Sequence, residues 1–216
     1  QLNDWVYDFV KVNNKIIDKN IGTNGWLINS LPKRMIFDKM YGDLINQKIK
    51  KNLKILDIGG GINVLQTLIS KDHHLTLVDI LAHDKKDTAF EFCDFNNIKL
   101  IQKDWFDFLR HDLDYDLIIA NDLFPNVDQR LSIFLDICIK QKCEVRISLT
   151  VYENNKFYPV KRVDADEFMF MKAWSINDLN SCLSQKFDLS ILNEIENKNK
   201  SLFPNGRHIA MLNFTN

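Results

Sequence analysis

Apolar residues along this chain follow two alternating periods. Short runs of strand length stand at Leu53–Ile58, Leu75–Asp79, Ile98–Ile101, Tyr115–Ala120 and Val145–Val151. Their Ile, Leu and Val content suits parallel strands covered on both faces. The stretches between them carry helical spacing. Ile62–Ser70 sets Val64, Leu65, Leu68 and Ile69 on one face, and Gln129–Lys140 does the same with Leu131, Phe134, Leu135 and Cys138. Trp105–Arg110 reads as a shorter helix. Such alternation predicts a parallel sheet with helices on both faces.

The flanks differ. Residues 1–50 read as two or three amphipathic helices interrupted by a turn at Ile21–Gly25, with Pro32 near the start of the second stretch, where proline is tolerated. Towards the other end, Ser175 is placed to cap a helix over Ile176–Gln185. Two strand-like runs follow, Phe187–Ile195 and His208–Phe214, with turn chemistry at Asn197–Lys200 and Pro204–Gly206. The expected fold class is therefore α/β, doubly wound and Rossmann-like. A seven-stranded mixed sheet with an antiparallel last strand is expected over residues 51–216, and residues 1–50 form an N-terminal helical cap on the same domain.

Composition narrows the class of partner. Hydrophobic residues make up 45% and charged residues 26% of the 216, enough for a substantial core. The formal net charge is −1. Proteins that live on bulk nucleic acid carry a basic excess to neutralise phosphates, so a small-molecule partner is expected instead. Cys93, Cys138, Cys143 and Cys182 form no CxxC pair, which points to reduced thiols and a cytoplasmic location. No apolar run approaches the roughly 18 residues of a membrane span. No spaced His, Cys and Asp set suggests a metal site. Oligomeric state is not legible in the pattern.

The chemistry centres on Lys54-Ile-Leu-Asp-Ile-Gly-Gly-Gly-Ile-Asn63, where a strand runs into three glycines and a helix is expected at once. Glycine permits the tight turn and a close ligand, and a helix start offers unpaired N–H groups. In a doubly wound sheet, ligands sit at the carboxyl edge of such strands. A nicotinamide site would want glycine at the sixth position of GxGxxG, which here is Val64. Asp57, two residues before the first glycine, would repel a pyrophosphate. It suits a ligand with a cationic amino group.

In these residues the sequence resembles the class I S-adenosylmethionine-dependent methyltransferases, whose first motif is D/E-x-G-x-G. Asp57, Gly59 and Gly61 match it, with Gly60 between them and Asn63 where a third glycine is common. The resemblance continues in register over residues 50–150. It implies S-adenosylmethionine as cofactor and S-adenosylhomocysteine as product. It further implies that Asp79, followed by Ile80, meets the ribose, that Asp104 and Trp105 meet the adenine, and that Asn121 ends the motif facing the methyl group. Taken singly, Asp79 and Asp104 would also serve as helix caps and Trp105 as core.

The fourth motif reads Asn121-Asp122-Leu123-Phe124-Pro125, without the double proline of enzymes that methylate amino nitrogens, so an oxygen acceptor is favoured. Methyl transfer to a neutral hydroxyl needs alignment and sometimes a base. Asp122 is the first candidate base, with His208 and His83 behind it. Tyr158, Lys161 and Arg162, together with Arg34 from the cap, are expected to line an acceptor pocket, the cations meeting a phosphate or carboxylate. Heavy use of Asn, Lys and Ile suggests an AT-rich bacterial genome, in which small methyltransferases of this build often decorate surface-polysaccharide precursors, including sugars and phosphoramidate groups. The expected activity is methylation of a small, anionic oxygen acceptor. Its rivals are a non-catalytic cofactor-binding module, methylation of protein or RNA, and a nicotinamide oxidoreductase.

Overall fold

The computed structural model describes residues 4–13, 21–46, 51–82, 84–109, 114–162, 167–188, 192–194, 203 and 205–215. Five strands run parallel: β1 (Lys54–Ile58), β2 (His74–Asp79), β3 (Lys99–Gln102), β4 (Leu117–Phe124) and β5 (Glu144–Tyr152). After them come β6 (Lys156–Arg162), β7 (Glu167–Ala173), β8 (Leu192–Glu194) and β9 (Arg207–Thr215). β9 pairs antiparallel with both β5 and β8, giving a seven-stranded sheet of order β3-β2-β1-β4-β5-β9-β8. The crossover falls between β1 and β4, where a ligand cleft is expected at the carboxyl ends.

Residue alternation along the strands builds a core on each face. Ile55, Leu75, Leu77, Leu117 and Ile119 face one side and pack with the cap. There they meet α1 (Trp5–Asn13), α2 (Gly22–Asn29), α3 (Leu31–Ile45), α4 (Gln66–Asp72) and α5 (Lys86–Phe95). Leu56, Ile58, Val78, Ile118 and Ala120 face the other side. Their partners are α6 (Trp105–Phe108), α7 (Leu131–Cys138) and α8 (Ile176–Leu183). Ser175 caps α8 in a reciprocal box with Asp178. Among the described residues no helix is long and apolar enough to cross a membrane.

Four expectations change. The turn placed at Ile21–Gly25 is instead the N-cap and first turn of α2, whose buried Asn24 accepts from the Val64 amide at 3.0 Å, so docking overrides the two glycines. The helix after the glycine cluster starts at Gln66, not Ile62, because side chains bind the intervening amides. α5 was not anticipated, although Ala89, Phe92 and Cys93 have helical spacing and are buried. The segment after β5, expected as a pocket-lining loop, is the β6–β7 hairpin. The Asn197–Lys200 turn lies outside the described residues.

The long helix α3 ties the cap to the sheet. Arg146, buried in β5, donates to both oxygens of Asp43 at 2.7 and 2.8 Å and to the Met40 carbonyl at 2.9 Å. Those bonds hold the Asp43 carboxyl below its ordinary range against the opposing effect of burial. Ser30 and Pro32 set the start of α3. This places the first turn of α3 over the carboxyl end of β4.

Candidate functional site

The glycine cluster follows β1 as an extended loop. Gly59 and Gly61 sit at φ +65° and +63°, the left-handed region that a side chain resists. A Cβ on Gly59 would stand 2.9 Å from two Leu123 carbons, and one on Gly61 would stand 2.7 Å from Thr23 Oγ1. Both positions therefore need glycine for shape and for space. The following amides are bound by side chains. Gly61 N–H donates to Asp79 at 3.1 Å, Ile62 N–H to Asp84 at 3.2 Å, and Asn63 N–H to Gln66 at 3.0 Å.

Asp57 points under this loop, with 2% of its surface exposed. The Tyr41 hydroxyl donates to its Oδ2 at 3.1 Å, while Oδ1 is buried with no hydrogen-bond partner among the described residues. Burial, reinforced by the charge of Asp79, pushes the Asp57 carboxyl up to about 7, against the hydrogen bond from Tyr41. A buried carboxylate oxygen without a donor is costly, and a ligand ammonium would satisfy it. At the end of β2, Asp79 takes the Gly61 amide on one oxygen and the Leu81 amide on the other at 2.6 Å. Ile80 beside it is 54% exposed.

The third-strand pair goes elsewhere. Trp105 is 4% exposed and packs edge-on against Phe124 and Phe134, with its indole N–H donating to Asp128 at 2.7 Å. It belongs to the core and offers no wall to a ligand, which corrects its assignment to the adenine. Asp104 caps α6 through the Phe106 amide and pairs with Arg130 at 2.8 Å. The local cap reading therefore accounts for it. Ile80 is the exposed apolar group at that edge.

At the end of β4, a register shift accompanies Asp122, whose φ is +57°. Its amide donates to Ser148 Oγ at 2.8 Å, and that hydroxyl donates to Asn121 Oδ1 at 2.7 Å. Thr150 donates to Asp122 Oδ1 at 2.7 Å. On Oδ2 the carboxylate meets Lys33 at 3.3 Å and Arg207 at 3.5 Å. The Lys33 ammonium lies 4.8 Å from the Trp26 ring centre, and the Arg207 guanidinium 4.0 Å from that of Phe203. Tyr152 and Tyr158 stand near this cluster, and burial raises both hydroxyls above their ordinary range.

Two expected contributors are displaced by one residue. His208 follows Arg207 on β9, so it points to the opposite face, shared with Ala210 and Leu212 and the α7–α8 core. Arg34 follows Lys33 on α3, and its guanidinium is spent inside the cap, on Asp4 at 2.7 Å and the Leu27 and Ile28 carbonyls. Neither reaches Asp122. Tyr158 is tied to Asn126 Oδ1 at 2.9 Å. Lys161 and Arg162 lie in β6, but their side chains are outside the described residues, as is His83. Lys33 and Arg207 were not singled out in the sequence, though each adjoins a residue that was.

No family model matches the sequence, and no curated protein matches it. Solved structures do. DhpI in its SAH complex aligns over 97% of this chain and 95% of its own, with TM-score 0.56 at 12% identity. The 1,6-didemethyltoxoflavin-N1-methyltransferase of Burkholderia thailandensis, with 1,6-didemethyltoxoflavin and S-adenosylhomocysteine bound, aligns over 97% and 86% with TM-score 0.54 at 13% identity. Magnesium protoporphyrin IX methyltransferase of Synechocystis, with SAH bound, aligns over 83% and 81% with TM-score 0.51 at 13% identity. The chain thus has the Rossmann-like fold of these methyltransferases.

Proposed function

We propose that the protein is an S-adenosylmethionine-dependent methyltransferase acting on a small, anionic oxygen acceptor. The observation that carries this reading is the buried, unsatisfied Asp57 Oδ1 under a glycine loop with two left-handed positions. It fits a ligand that brings an ammonium group to the end of β1. In this reading Asp79 would take the ribose hydroxyls, Ile80 would meet the adenine face, and Asn121 at the end of β4 would adjoin the methyl group. The solved structures of like fold with S-adenosylhomocysteine bound support the same choice of cofactor. A dinucleotide is disfavoured, since Asp57 and Asp79 would both repel a pyrophosphate.

When bound, S-adenosylmethionine supplies an electrophilic methyl on a sulfonium whose leaving group needs no acid. The chain's part is to hold the acceptor in line with that carbon and to keep water away. An oxygen acceptor is preferred because the Asn121–Pro125 segment lacks a double proline and the adjoining side chains are cationic. Phosphoramidates and acidic sugars belong to the acceptor class that this arrangement suits.

Calorimetry with S-adenosylhomocysteine, S-adenosylmethionine and NAD tests the cofactor. Micromolar binding of the first two is expected, with a large loss in Asp79→Ala. Binding of NAD alone would overturn the reading.

A further inference from the structure

Asp122 has the position of a general base but not the freedom of one. Lys33 and Arg207 approach its Oδ2, and Thr150 donates to its Oδ1. Three donors already occupy most of the acceptor positions of this carboxylate before any acceptor hydroxyl arrives. The two cations arrive from unrelated parts of the chain, the first turn of α3 and the first residue of β9, and converge on one point. Aromatic rings back both of them. The trio carries a net charge of +1 by formal count, two cations less one carboxylate. Side-chain exposures of 28% for Lys33, 21% for Asp122 and 10% for Arg207 leave the cluster reachable by a small ligand.

We propose that Lys33 and Arg207 form the acceptor's recognition site, that the acceptor is an oxyanion (a carboxylate or a phosphate-type acid), and that it reacts already ionised. Asp122 is then the resident counter-ion, which holds the two cations in place until the acceptor takes over part of their coordination. This rests on the methyl-transfer reading above. A lone pair on the oxyanion forms the new oxygen–carbon bond as the methyl carbon's bond to sulfur breaks. That bond's electron pair stays on sulfur. No proton changes hands, and the acid leaves as its methyl ester. Two donors of fixed position would also orient a planar or tetrahedral oxyanion, which a single lysine would not do.

The test begins with the protein saturated in S-adenosylhomocysteine, titrated calorimetrically with phenylphosphonate, benzoate and benzyl alcohol. Binding of one or both acids, and not of the alcohol, is expected, and the preferred acid tells phosphate-type from carboxylate acceptors. The acid's affinity falls about tenfold or more in Lys33→Ala and in Arg207→Lys, which keeps charge but loses the fork. Asp122→Asn keeps a side chain that tolerates the left-handed backbone. It is expected to tighten acid binding, and to lower kcat for transfer from labelled S-adenosylmethionine by less than about tenfold. Loss of a true base would cost about a hundredfold to ten-thousandfold. Failure of both acids to bind, equal binding of the alcohol, or an Asp122→Asn loss on the larger scale would overturn the proposal. A protein that fails to bind S-adenosylhomocysteine at all would instead sink the cofactor reading.

Discussion

The carboxyl edge of the sheet has two halves, and their charges are opposite. Around β1 and β2, Asp57 and Asp79 receive hydrogen bonds from a tyrosine and from backbone amides, and no Lys or Arg pairs with either among the described residues. Around β4, β5 and β9, one carboxylate stands between two cations. Both halves rest on one scaffold and are bridged by α3, whose Tyr41 reaches Asp57 and whose Lys33 reaches Asp122. The first half suits a ligand carrying positive charge and hydroxyls, the second a ligand carrying negative charge. Complementary fields of this kind set partner choice before any shape match is tested.

The contrast can be broken most severely by reversing one side. Asp79→Lys removes acceptors for two loop amides and places a cation at the ribose position. S-adenosylhomocysteine affinity is expected to fall about a hundredfold or more by calorimetry, with a circular dichroism spectrum unchanged. If affinity survives, the acidic half is not the cofactor's.

The next largest effect is a pH dependence. Burial holds the Asp57 carboxyl up to about 7, so in the free protein it loses its charge as pH falls through that value. Ammonium binding needs the charged form. The affinity for S-adenosylhomocysteine should therefore rise about tenfold per pH unit below 7 and level off above it. Asp57→Asn should be weak and flat across the same range. Equal slopes in both proteins would remove Asp57 from the cofactor site.

The same group affects stability in the opposite sense. Its folded value, about 7, exceeds the ordinary 3.8, so the native state holds the proton more tightly than the unfolded chain. Its stabilising contribution is full below about 4 and is lost as pH rises to about 7. Urea denaturation of the ligand-free protein at pH 5 and 8 should show Asp57→Asn gaining relative to wild type at the higher pH. No relative gain would mean that Asp57 is not buried as described.

Tyr41→Phe is the mildest perturbation. Phe keeps the stacking on Phe37, whose ring centre lies 4.4 Å away, and removes only the hydroxyl that donates to Asp57. That bond favours the charged carboxylate, so its loss should move the pH midpoint of cofactor binding upward. At pH 7 the affinity should weaken by a few-fold. An unmoved midpoint would leave Tyr41 a packing residue only.

Much of this edge was legible as a list of strand ends. Asp57, Asp79 and Asp122 each close an apolar run, and alternation alone gave the parallel core and the antiparallel last strand. Trp105 read singly is a core residue, and only the resemblance assigned it to the adenine. The neighbouring Phe124 and Phe134 decide it. The early start of the helix after Gly61 failed for a different reason. Its free amides were bound by Asp79, Asp84 and Asn24, which lie 18, 22 and 40 residues away from their partners.

Two choices missed Asp122 in the same way. His208 was chosen, but Arg207 before it contacts Asp122, and Arg34 was chosen, but Lys33 before it does. Hydrophobic periodicity reports which face of an element is buried, and so the sequence by itself determined the succession of strands and helices, the carboxyl edge and the dipeptides that border it. A step of one residue reverses the face on a strand and turns by about 100° on a helix. Which member of each pair faces Asp122 depends on how β9 registers against β5 and how α3 is rotated by the Arg146–Asp43 clamp. Only the tertiary structure decided that, because both contacts join residues that are distant along the chain.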